Sequence, residues 1–323
     1  MSLRLDSNRS DNVYDMDIGL DESSDGMASG SEAVDQLIRR GLLHEVSTEA
    51  LQMRRPWYLP PPTPNISRSA RTSSDLQREF GQEKWGSLLA RLDLMRSPTV
   101  EDADLVYFGE EESIGCLGAS LFSGKSIYLN KMYVAAISEI LKNHTQGMDV
   151  VDLGAGYGSL CLRFLADDGL AIDSLTALEF THEGRECLRI LGSPFRGLKV
   201  GACDFFALGI TDVLIEPGSI ILTSMSNMYV NHDQKRVLTD IINWGPKIVF
   251  HFEPSMSNNE SELGWERDHY MRKNNYNTAL LPTLRSLEAQ GLLKVLEVRE
   301  VVAGINAVLP VGFISWQPTT FTR

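Results

Sequence analysis

Residues 149–158 read DVVDLGAGYG, and this stretch decides the fold. A short apolar run, Val150 and Val151, ends in an acid, Asp152, and Gly154, Gly156 and Gly158 follow at alternate positions. SLCLRFLADDG then opens a helical pattern, with Leu160, Leu162, Phe164 and Leu165 available for packing. Strand, glycine turn, helix is the context in which a glycine motif gains meaning. Glycines let the backbone turn sharply and approach a ligand where a side chain would clash. The helix start beside them offers unpaired N–H groups.

The pattern repeats on the C-terminal side. SLTALEF (174–180) is a second apolar strand pattern, ending at Glu179. Nucleotide-binding α/β folds place an acid at this distance for a ribose diol. A carboxylate suits the task because it accepts hydrogen bonds from two adjacent hydroxyls. THEGRECLRILG reads as a helix with Cys187, Leu188 and Leu191 on its apolar side, and LKVGACDFF as a third strand ending at Asp204 and Phe205. Taken singly, Glu179 is a solvated strand-end carboxylate and Asp204 a helix N-cap. Three acids at three strand ends argue against both readings, because ligands of open α/β sheets bind at that edge. SIILTSMSNMYV (219–230) gives a fourth strand running into a polar loop, and HDQKRVLTDIINWG a helix stopped by Gly245 and Pro246. KIVFHFEPS (247–255) is a fifth strand, and NYNTALLPTLRSLEAQG a helix with a kink or break expected at Pro282. LLKVLEVREVV and VGFISWQP close the chain as two strands.

Hydrophobe–Asp–x–Gly–x–Gly–x–Gly, with the acid in the strand ahead of the glycines, resembles motif I of the class I S-adenosylmethionine (AdoMet)-dependent methyltransferases. Five βα units followed by a terminal antiparallel strand pair are similar to that family's usual ending. The resemblance covers about residues 125–318 and is specific for fold and cofactor, not for substrate. It implies an α/β fold, a Rossmann-like seven-stranded, mostly parallel sheet with helices on both faces. It also implies AdoMet as cofactor and S-adenosylhomocysteine as product. The implied cofactor set is Asp152, Gly154, Gly156, Gly158, Glu179, Asp204 and Phe205. In this family the glycine loop passes under the methionine part, Asp152 orders the loop and the amino end, and Glu179 meets the ribose. Asp204 meets the adenine amine, and Phe205 covers the ring. The function expected is methyl transfer to nitrogen or oxygen of a small-molecule acceptor, in specialised metabolism, an acceptor the resemblance itself does not specify. A peptide or protein acceptor, and a non-catalytic AdoMet-fold scaffold, stand as the alternatives.

The sulfonium methyl is already activated, so a base is needed only where the acceptor carries a proton that must leave. The loop Ser224–Tyr229 lacks the Asn/Asp-Pro-Pro-Tyr of many DNA and protein N-methyltransferases, which weighs against amide and nucleobase methylation. His251 and Glu253 alternate on the fifth strand and therefore share a face. They are the expected catalytic pair, a base with a carboxylate that orients it or grips a cationic acceptor. Tyr128, Asn130 and Lys131, in the lid-to-core passage 122–143, join Ser226, Asn227 and Asn306 as the expected acceptor-binding set. The acidic run 257–270 reads as a solvated helix rather than a guanidinium clamp. The six histidines form no H-x-x-x-H pair, so no metal is expected.

The chain has 323 residues, 43% of them hydrophobic, which supports a sizeable core. A net charge of −13 without a long basic run argues against nucleic acid, because phosphate binding needs clustered Lys and Arg. Cys116, Cys161, Cys187 and Cys203 show no C-x-x-C spacing and fit buried thiols in a reducing compartment. No signal-peptide core and no run of spanning length appears, so a cytoplasmic protein without a membrane partner is expected. A homodimer is left open. Residues 1–30 read as a disordered tail, 31–124 as a mainly helical N-terminal extension or lid, and 125–323 as the methyltransferase core. Within the extension, PWYLPPPTPN (56–65) is an extended linker or arm.

Overall fold

The computed structural model describes residues 30–53, 71–230, 233–256 and 261–319. The expected tail, apart from Gly30, and the proline-rich arm lie outside the described residues. In chain order the extension comprises α1 (Gly30–Arg39), β1 (Leu43–Val46), α2 (Thr48–Met53), α3 (Ser73–Leu76), a π-helix (Gln77–Trp85), α4 (Gly86–Leu92), α5 (Val100–Phe108), β2 (Glu112–Leu117) and β3 (Ser120–Lys125). The core follows as α6 (Ser126–Leu141), β4 (Asp149–Leu153), α7 (Cys161–Ala166), β5 (Ser174–Glu179), α8 (His182–Gly192), β6 (Leu198–Ala202) and β7 (Ile220–Ser224). It ends with a 3-10 turn (Asn227–Tyr229), α9 (Gln234–Asn243), β8 (Ile248–Phe252), α10 (Glu262–Lys273), α11 (Leu280–Ala289), β9 (Leu293–Gly304) and β10 (Val311–Pro318).

All ten strands form one sheet in the order β1-β3-β2-β9-β10-β8-β7-β4-β5-β6. The run β8-β7-β4-β5-β6 is parallel. β10 pairs antiparallel with both β8 and β9. Chain order reverses at β4, which has β5 on one side and β7 on the other. That is the switch point at which α/β sheets open a crevice beyond their strand ends. The two-residue period of the strands supplies a core on each face. Val150, Ile220 and Phe250 pack with Trp85, Ile137, Leu162 and Leu188. Their neighbours Val151, Ile221 and Val249 pack with Val237, Leu238, Leu284 and Trp316.

Two expectations need correction. Among the described residues the sheet has ten strands and is mixed, not seven: the extension adds β1, β2 and β3 to its helices. These strands are four to six residues long, and β2 meets the core sheet only through Cys116–Gly304 and Leu117–Ala303. Pro282 does not kink a helix. It is the third residue of α11, in the first turn, where a missing N–H costs no helical hydrogen bond.

Candidate functional site

The turn after β4 is built from close backbone approaches. Gly154 has φ +87°, and a Cβ there would lie 2.4 Å from the Ser226 Cβ. Gly156 has φ +58°, and its Cβ would lie 3.2 Å from the Trp85 ring. Both positions demand glycine on conformation and on space. The amides of Gly154 and Ala155 donate to the Leu178 carbonyl at 2.7 and 3.0 Å, tying the turn to β5.

Three buried carboxylates surround this turn. Glu179 accepts the Gly156 amide at 3.0 Å on Oε2, and the Thr181 amide and hydroxyl at 2.9 and 2.7 Å on Oε1. Of roughly four acceptor positions on a carboxylate, about one remains for a ligand. Asp152 is 2% exposed, and its Oδ1 has no hydrogen-bond partner. Burial lifts its carboxyl to about 7; the Cys161 thiol opposes the rise, and the Glu179 and Glu253 charges add to it. Glu253 accepts the amides of Ser226 and Asn227 on Oε1 at 3.1 and 3.0 Å, and that of Met228 on Oε2 at 3.1 Å. Its carboxyl also rises to about 7, because burial outweighs those bonds. Met225, at φ +55°, holds a left-handed conformation rare for a bulky residue, just ahead of the loop that Glu253 grips.

A cavity of about 420 Å³ opens over the turn. Its floor holds Asp152, Gly154, Gly156, Glu179, Phe205 and Ser226. Its lining is rich in aromatics, with Phe80, Trp85, Tyr107, Phe108, Tyr157, Tyr229 and Tyr276. Phe80, Trp85, Tyr107 and Phe108 come from the extension. Ring centroids lie 5.9 Å apart for Phe80–Trp85, 5.0 Å for Trp85–Tyr107 and 5.4 Å for Phe80–Tyr229. The Tyr133 and Ser224 hydroxyls share a 2.6 Å hydrogen bond in the same lining. Burial, with the Glu79 charge adding to it, pushes the Tyr107 phenol up to about 12. A larger cavity, about 790 Å³, lies between the α4–α5 connection and helices α7 and α8. No strand-end acid reaches it, so the smaller cavity is the site.

Of the residues expected from sequence, Asp152, Gly154, Gly156, Glu179, Phe205, Asn130 and Ser226 line this cavity. Gly158, Asp204, Tyr128, Lys131, Asn227, Asn306, His251 and Glu253 do not. Asp204 turns its Oδ1 onto the Phe206 amide at 2.8 Å. Tyr128 packs against the Val34–Leu37 cluster. The Asn306 Oδ1 accepts the Val308 amide at 3.0 Å and shapes the turn between β9 and β10.

The catalytic pair is the main correction. His251 is 0% exposed, and both ring nitrogens are engaged, by Thr223 Oγ1 and by Trp316 Nε1. Burial lowers its pKa to about 3. It is a buried core histidine that does not line the cavity. Glu253 does not touch it; it holds the 226–228 backbone. The aromatic wall was not read from the sequence, where residues 73–95 show only a helical pattern.

No protein-family profile matches the sequence, and no curated protein matches it. Solved structures do resemble it. A geranyl diphosphate methyltransferase in complex with GPP and sinefungin is 15% identical over 76% of this chain and 98% of its own, with a TM-score of 0.46. A mutant of MtNAS in complex with S-adenosylmethionine is 9% identical over 77% and 78%, at 0.45. The mitomycin 7-O-methyltransferase MmcR is 15% identical over 78% and 73%, at 0.41. The fold is an α/β sheet with a parallel run β8-β7-β4-β5-β6, a reversed β10 beside it and an acid-then-glycine turn at the switch point.

Proposed function

We propose that this chain is an AdoMet-dependent methyltransferase acting on nitrogen or oxygen of a small molecule, in specialised metabolism. The observation that carries the reading is the unpartnered, buried Oδ1 of Asp152 beside the glycine turn. A buried acceptor without a donor is costly, and an amino acid's ammonium group supplies the missing donor. Gly154 and Gly156 let Ser226 and Trp85 close directly on the turn, and Glu179 stands in the cavity lining where a ribose hydroxyl would meet it. Phe180, Phe205 and Phe206 offer apolar cover for an adenine ring. The residues therefore fit the group. Bound there, AdoMet supplies a methyl already activated on sulfonium.

The protein's own part is positioning. The aromatic wall excludes water and limits the approach of the acceptor. Residues 125–323 serve as the core and 31–124 as the segment that roofs it. A roofed, mostly apolar cavity suits a small molecule better than a peptide chain.

Two measurements test this. Titration calorimetry of the full chain with S-adenosylhomocysteine should show binding; no binding overturns the cofactor assignment. Methyl-labelled AdoMet incubated with the chain and cell extract should place label in the small-molecule fraction. Label confined to macromolecules assigns a peptide or protein acceptor instead.

A further inference from the structure

One buried carboxylate outside the cavity joins the two halves of the site. Asp104, on α5, is 0% exposed. Its Oδ1 accepts the Tyr157 hydroxyl at 2.6 Å. Its Oδ2 accepts Asn130 Nδ2 at 2.9 Å and Arg163 Nη2 at 2.6 Å. The donors come from the glycine turn, α6 and α7. Asn130 Nδ2 also reaches the Ser159 hydroxyl at 3.0 Å. Tyr157, Asn130 and Ser159 line the cavity, whereas Asp104 does not. Tyr107 and Phe108 follow Asp104 by three and four residues, so α5 presents them beside it. Both belong to the aromatic wall.

We infer that Asp104 is a positioning residue that registers the glycine turn with the aromatic wall. Stability alone is a poor reason for this group. Buried ion pairs are replaceable by apolar packing at little cost. What the carboxylate adds is direction: three donors from three segments must meet at one pair of oxygens. It acts through Tyr157 on the ligand turn and through α5 on Tyr107 and Phe108. The inference rests on the cofactor reading above for its consequence, but not for its geometry.

Asp104→Asn keeps the shape. Its carbonyl can still accept from Asn130 and Arg163, but its amide must then face the Tyr157 hydroxyl, and of the two carboxylates paired with Arg163 only Glu101 keeps its charge. Hydrogen exchange of the unliganded full chain should speed up in 100–108 and in 153–160 together, with α11 unchanged. Tyr157→Phe deletes one bond and should speed 153–160 alone. Affinity for S-adenosylhomocysteine should fall about tenfold in Asp104→Asn, the size expected for losing charge-assisted bonds. Faster exchange confined to 100–108, or a uniform rise with unchanged affinity, overturns the inference and leaves a core ion pair. If Asp104→Asn does not fold, Tyr157→Phe decides: unchanged exchange in 153–160 overturns it. If the wild-type chain binds no S-adenosylhomocysteine, the cofactor reading fails, while the exchange pattern still decides the role of Asp104.

Discussion

The indole Nε1 of Trp316 donates to Nε2 of His251 across 3.0 Å, with both side chains at 0% exposure. An Nε2 that accepts fixes the proton on Nδ1, which faces Thr223 Oγ1 at 2.8 Å. His251 thus holds a strand pair together. His251→Ala leaves a cavity and strands the indole N–H, which together cost about 2–4 kcal/mol. Urea unfolding should show that loss, while affinity for S-adenosylhomocysteine stays within about twofold, as for distant sites. The sign with pH follows from the lowered pKa of about 3. Below about 6.5 the unfolded histidine charges and the folded one does not. Its contribution is therefore complete above that pH and lost as pH falls toward 3.

Asp152 titrates in the opposite sense. Its folded carboxyl is raised from 3.8 to about 7. The folded state holds the proton more tightly, so this group destabilises the unliganded chain as pH rises from about 4 through 7. A cationic partner reverses the preference. Affinity for S-adenosylhomocysteine should therefore improve about tenfold from pH 6 to 8, following the ionised fraction. Asp152→Asn should bind weakly and lose most of that slope. A steep slope retained in the variant would move the ammonium site elsewhere.

Glu253 is a scaffold for the Ser226–Met228 backbone rather than a partner of His251. In Glu253→Gln the carbonyl keeps two amides, but the new amide group meets the Met228 N–H donor to donor. One unsatisfied buried N–H costs about 1–3 kcal/mol. Glu253→Ala frees all three amides and should cost more. Thermal unfolding should rank wild type above Gln above Ala, with exchange rising first in 225–229. Equal stability of all three would mean that the loop holds itself.

Local pattern made the two-faced core legible. Val150 and Val151, Ile220 and Ile221, and Val249 and Phe250 are adjacent apolar pairs, as a strand buried on both faces requires. The strand-end acids were legible because β4 and β5 stop where their apolar runs stop. The fate of His251 was not. Its partner Trp316 arrives through β10, where Trp316 pairs with Val249, a contact made across the chain. Period two put Glu253 on the same side as His251, yet β8 ends at Phe252 and Glu253 turns to the neighbouring loop. Asp104 carries no local mark either: its donors lie 26, 53 and 59 residues away.

The aromatic wall was hidden by an irregular helix. Phe80 and Trp85 are five residues apart, which on an α-helix places them on different faces. Across Gln77–Trp85 the ladder is π, and the Gly86 amide reaches back five residues to the Gly81 carbonyl. That spacing brings Phe80 and Trp85 together and lets Lys84 Nζ meet Glu79 Oε1 at 3.0 Å. π segments of this kind recur at functional sites. Deleting exposed Glu83 would make both pairs i,i+4, the spacing an α-helix favours for Phe–Trp contact and for Glu–Lys pairing. The variant should fold, melt no lower than wild type, and bind S-adenosylhomocysteine within about threefold, since the helix keeps its phase at both ends. Deleting exposed Ser87 from α4 instead rotates Leu88 and Leu92 out of the core, and should lower the melting temperature sharply. Should the Glu83 deletion prove as damaging as the Ser87 deletion, the π ladder itself, rather than the face it presents, would be what the site requires.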